Sequence, residues 1–159
     1  ADEPVQQPQA SLVSSGETVA MDWQGVPGRT YFMEWSLDLV NWQPAPFLGF
    51  GDGAQSFTME TAEPRAFFRI RFRDDPDVDS LEEAAAADFD GDNLSNGFEA
   101  YGGLNANSSS SVPGESDATG DADKDGAKNT TEQQAHTNPM VRDHPLLLLE
   151  VSKVEAGGF

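Results

Sequence analysis

From residue 10 to residue 73 apolar and polar side chains alternate in short runs broken by turn residues, and after residue 74 that alternation ceases. The runs predict six strands, at 10–13, 18–23, 30–36, 42–47, 56–61 and 66–73, because period-two alternation sets one strand face on a core and the other in water. Val19, Met21 and Trp23 fall on one face, and Phe68, Ile70 and Phe72 fall opposite Phe67, Arg69, Arg71 and Arg73. Turn chemistry separates the runs at Ser15-Gly16, Pro27-Gly28, Asp38 to Asn41 and Gly51 to Gly53. All three Trp and most of the Phe lie in this zone, so a small β-sandwich is the economical way to bury them.

The flanking zones follow other patterns. Residues 1–9, with Pro4 and Pro8, read as an extended arm. Residues 74–143 hold few large apolar side chains, too few to fold unaided, and SSSSVPGES at 108–116 reads as a flexible spacer. At 144–159 the pattern turns apolar again and predicts a C-terminal strand. In it Leu147, Leu149 and Val151 share one face and Leu146 and Leu148 the other, so both faces want cover.

GRTYFMEWS at 28–36, LVNW at 39–42 and FFRIR at 67–71 resemble the immunoglobulin- or fibronectin-III-like modules repeated in exported proteins of environmental bacteria. The resemblance implies a sandwich and an exported setting, with no activity attached. Seven strands are usual in such a fold and six are found in the β zone. The last strand therefore has three fates: completing its own sandwich, completing that of a neighbour in a head-to-tail filament, or opening a further domain.

Charge changes the picture more than composition does. The 159 residues carry a net charge of −19, and residues 74–143 alone hold 17 acids against 3 bases. Such a segment repels phosphate backbones and anionic headgroups, which excludes nucleic acid and the membrane surface as partners and favours cations. No apolar run is long enough to span a bilayer. There is no cysteine, so thiolate metal chemistry and disulfides are excluded. The first residues, ADEPVQQPQ, are of the kind that cleavage of a secretory signal leaves, and predict an extracellular or cell-surface protein.

Within the acidic zone, DADKDGAKNTTE at 121–132 fits the calcium-loop pattern D-x-[DN]-x-[DN]-G-x5-E at every specified position. Calcium takes six to eight oxygens at about 2.3–2.6 Å, and a chain curling round it offers positions 1, 3 and 5, a carbonyl at 7, and a bidentate Glu at 12. Here these are Asp121, Asp123, Asp125, the Ala127 carbonyl and Glu132, with Asn129 at position 9 reaching the ion through a water. DFDGDNLSNGFE at 88–99 repeats the set 33 residues upstream: Asp88, Asp90, Asp92, the Leu94 carbonyl, Asn96 and Glu99. It departs at Asn93, where Gly is expected, but Asn also tolerates the left-handed region. Ser80 and Glu83 form a capping box ahead of a short helix in LEEAAAA, and helical turns are expected at 96–101 and 130–136. Asp75, Asp77 and Asp79 suggest a third, partial site, though position 12 would be Ala86.

DFDGDNLSNGFEAYGGLNAN and DADKDGAKNTTEQQAHTNPMVRD resemble the calcium repeats of thrombospondin type 3 in their short bacterial form. That family follows its Asp triad and Glu with an Asn-Pro turn, matched at Asn138-Pro139 and loosely at Asn105-Ala106. The resemblance implies two bound calcium ions over residues 74–143.

With two histidines and no nucleophile elbow, an enzyme is not expected. Trp23, Trp35 and Trp42 could line a glycan-binding face, but aromatic residues at alternating strand positions more often form core. The expectation is thus a mainly β chain, 10–73 as an immunoglobulin-like sandwich and 74–143 as a calcium-loop segment with short helices. Its expected role is structural or adhesive, with calcium stiffening a spacer and the protein itself or other surface proteins as partners. The runner-up is a carbohydrate- or protein-recognition module of a larger secreted assembly.

Overall fold

A computed structural model describes residues 10–112 and 114–143. The arm expected at 1–9 and the strand expected at 144–159 lie outside the described residues. All six β-zone strands form: β1 (Ala10–Ser15), β2 (Thr18–Gln24), β3 (Arg29–Ser36), β4 (Gln43–Phe50), β5 (Ala54–Glu60) and β6 (Phe67–Asp74). They make two three-stranded antiparallel sheets, ordered β1-β2-β5 and β4-β3-β6. Met21, Trp23 and Phe57 from the first sheet meet Tyr31, Met33 and Ala45 from the second in one core. Edge-on ring contacts of Trp23 with Tyr31 and Phe47, at 5.9 and 5.4 Å, knit the two together.

β3 is buried along most of its length, on both faces. Tyr31 and Met33 point into that core, whereas Phe32 points the other way and joins a second cluster with Leu48, Val78, Ala84, Phe89, Ala100 and Ala106. The acidic zone thus lies on the outer face of the second sheet, making a third layer. Small Ala side chains on α1 (Leu81–Ala86) and α2 (Asn96–Gly102) allow that close approach, and Phe89, the second residue of the first loop, is the plug. Its ring lies 6.0 Å from that of Phe32, edge-on, and Arg73 stacks on it at 4.5 Å.

The structure corrects the expected spacer and, among the described residues, does not meet two of the lesser alternatives. The serine-rich stretch is not a loose spacer. The Ser111 amide and hydroxyl both donate to the Asp117 carboxylate, and the Asn105 amide donates to the Ser111 hydroxyl, so the chain is clipped back on itself. Asp75, Asp77 and Asp79 do not converge as a metal group among the described residues. Asp75 instead accepts from the Asp77 amide in a local turn, and Asp79 donates its amide to Glu83. The three Trp share no exposed face: Trp23 is core, Trp35 packs at its margin, and Trp42 lies beneath the Arg69 guanidinium.

Candidate metal centres

The two loops fold alike because the same side chains make the same local bonds. In the first, Asp88 accepts from the amides of Gly91, Asp92 and Asn93, and Asp90 from that of Asp92. In the second, Asp121 accepts from Asp125 and Gly126, and Asp123 from Asp125. Asn93 and Gly126 both take positive φ, 77° and 102°, so Asn93 serves where Gly was expected. The exit helices α2 and α3 (Asn129–Ala135) then carry Glu99 and Glu132 back over the loops. α2 ends at Gly103 and α3 at His136, each in the left-handed region.

The correspondence extends beyond the loops with a constant offset of 33. The backbone carbonyls of Glu99 and Glu132 accept from the amides of Leu104 and Thr137, and the side chains of Asn105 and Asn138 accept from those of Asn107 and Met140. The repeat therefore runs from about residue 84 to 108 and again from 117 to 141.

Asn96 and Asn129 do not serve as the water-borne ligands expected at position 9. Each is buried and spent on backbone: Asn96 accepts from the Phe89 amide and donates to the Ala84 carbonyl, and Asn129 accepts from Ala122 and donates to Asp117. They hold the entering and leaving halves of each loop together. Asn96→Ala, which orphans both backbone groups, should cost about 2–3 kcal/mol. The loss, measured as a lowered urea midpoint, should persist in EGTA, whereas a loss confined to the metal-loaded protein would return Asn96 to the ion.

The carboxylates left over converge. Asp88, Asp90 and Asp92 form one group able to hold a metal ion, and Asp121, Asp123 and Asp125 form its counterpart. Two further groups pair Asp92 with Glu99 and Asp117, and Asp125 with Glu132 and Asp143. Asp117 and Asp143 lie outside the twelve-residue pattern and were missed; the signal for them is only an acid downstream of each exit helix. Leu94 and Ala127, the expected carbonyl donors, are buried at the turn of each loop, and their amides bond to Asp92 and Asp125.

Both oxygens of Glu99, both of Glu132, and one each of Asp90, Asp92 and Asp123 are buried without a hydrogen-bond partner. Unpaired buried carboxylate is costly, and the titration of these groups records the strain. Burial, reinforced by Asp90, Asp92 and Asp117, pushes Glu99 up to about 9. Burial, then Asp123, Asp125 and Asp143, pushes Glu132 up to about 7. Asp90 is pushed up to about 6 by burial and then by Asp92. Among the described residues no Lys or Arg forms a salt bridge with these carboxylates: the salt bridges are Arg29–Asp74 and Arg69–Glu34, both in the β layers, while Arg73 and Arg142, beside the loops, donate to the backbone carbonyls of Phe89 and Asp123. The donor sets are all oxygen, suited to a hard cation.

The two centres are joined. On α3, Gln133 accepts from the Ser95 amide at 2.7 Å and donates to the Asn93 carbonyl at 3.1 Å, so the second exit helix sits on the first loop. The chain matches no family model, no curated protein and no solved structure, and its reading rests on these residues.

Proposed function

We propose that the protein is an exported or cell-surface structural protein that binds two calcium ions, one in each loop, after the manner of thrombospondin type 3 repeats. The seven orphaned carboxylate oxygens, four at the first loop and three at the second, carry this reading, because one divalent cation in each loop would pair its set together. Loops of 12 residues with flexible oxygen donors favour calcium over magnesium, which demands near-octahedral geometry. Folding brings the like charges together and the ion repays their repulsion, so ion binding free energy becomes folding free energy. Since the acidic zone covers the outer face of the β4-β3-β6 sheet, calcium would brace the β layers as well as its own loops. No catalytic step is assigned. Affinity on the order of 10⁻⁴ to 10⁻³ M is expected, as in extracellular modules. Isothermal titration should saturate at two calcium ions per chain with magnesium a weak competitor; neither heat nor thermal stabilisation at about 10 mM calcium would sink the proposal.

A further inference from the structure

Among the described residues the two sheets have four edges, guarded unequally. β4 carries Pro44 and Pro46, which cannot donate to a ladder, and β6 carries Arg69, Arg71 and Arg73. β5 ends on Glu60, and its one deeply buried side chain, Phe57, is already in the core. β1, by contrast, has the sequence ASLVSS, with neither charge nor proline, and all six residues are exposed. Leu12 lies opposite Met21, which is 5% exposed, so it faces the core side of its sheet, yet it is itself 54% exposed. Val13, on the other face, is 60% exposed. An edge bare on both faces invites a strand that is apolar on both faces.

Residues 146–149 are four consecutive leucines, the one such run in the sequence. We propose that β1 is the acceptor edge for residues 146–151 of a second copy of this chain, which adds a fourth strand to the β1-β2-β5 sheet. Leucines of one parity would cover Leu12 and those of the other would lie with Val13. The donor comes from another copy because of reach. Asp143 is held at the second loop by its amide bond to Asp125, at 3.0 Å. Through Gln133 that loop is tied to the first, which packs on the outer face of the β4-β3-β6 sheet, whereas β1 lies in the sheet on the opposite side, roughly 20 Å from the first loop at two layer spacings of about 10 Å. Crossing that gap takes about six extended residues and consumes the leucine run before it arrives. Donation passed from each copy to the next is a heterologous contact, which builds a linear chain of molecules where the rotation between copies does not close; a wild-type mass that stops at the dimer would mean reciprocal exchange and overturn the chain. This goes beyond the metal reading and does not rest on it.

Sedimentation and light scattering of the full chain with calcium test it, using Leu148→Asp to disable the donor and Val13→Lys to disable the acceptor. Ser11→Lys serves as a second acceptor variant should Val13→Lys fail to fold by tryptophan fluorescence. The wild type should grow in mass with concentration and each variant alone should stay monomeric. An equimolar mixture should give twice the monomer mass and stop there, since one sound donor and one sound acceptor remain per pair. A wild type monomeric at all concentrations, a Leu148→Asp protein that still assembles, or a mixture that does not pair would each overturn the proposal. A monomeric wild type whose melting temperature falls on Leu148→Asp would assign the strand to its own chain.

Discussion

Glu99→Gln is expected to move the protein in opposite directions with and without calcium. Glu99 is fully buried, neither oxygen has a hydrogen-bond partner, and four aspartates surround it. Without the ion, burial keeps Glu99 protonated up to about 9, so folding at pH 8 must draw in a proton that the unfolded chain has lost, a cost that Gln avoids at nearly constant shape. In EGTA at pH 8 the variant should therefore melt higher than the wild type, by roughly 5 °C for one to two kcal/mol. With calcium the same change deletes the bidentate ligand, so affinity at the first loop should fall by about 100-fold and the variant should melt lower than the wild type. Differential scanning calorimetry in both conditions reads the two signs. Equal destabilisation in both would mean that Glu99 serves packing alone.

Acidity should act on the two states in the same opposed way. A carboxyl whose folded pKa is raised holds its proton more tightly in the folded state, so the stability it contributes is complete below the unfolded value, near 4.5, and is lost as pH climbs through the folded value. For Glu99 that window runs from about 4.5 to about 9, and for Glu132 to about 7. The calcium-free protein should thus be more stable at pH 5 than at pH 8. Calcium must displace those protons, so its affinity should strengthen about tenfold or more from pH 6 to pH 8, with proton uptake by the buffer visible as a titration heat that varies with buffer ionisation enthalpy. A flat affinity over that range would show that Glu99 and Glu132 stay outside the coordination.

Much of this was legible in the chain. Alternation and turn chemistry located all six strands, although β1 is exposed along its length and β3 is buried on both faces, and the repeated Asp spacing located both loops because their turns are local. What was hidden depends on contacts distant in sequence. Burial of β3 on both faces follows from Phe32 meeting Phe89, 57 positions later, and no local window contains that pair. A near-continuous apolar strand, TYFMEW, was the available hint. The position-nine asparagines read as ligands by analogy of spacing, while their buried bonds to Ala84 and Asp117 reach back twelve residues. Asp117 and Asp143 escaped because a pattern bounded at twelve residues cannot see a carboxylate supplied from beyond it.

That borrowed carboxylate gives the array a polarity. The first loop draws on Asp117, in the approach to the second, and the second draws on Asp143, past its own exit helix. Asp117 is itself held from both directions, by Ser111 before it and, through its carbonyl, by Asn129 of the second loop. Neither loop assembles its carboxylates alone: each cluster is offset from the sequence repeat by part of a period and is finished by an acid that comes after its exit helix. Damage to the second loop should therefore travel back towards the amino terminus, whereas damage to the first leaves the second with its full set of donors.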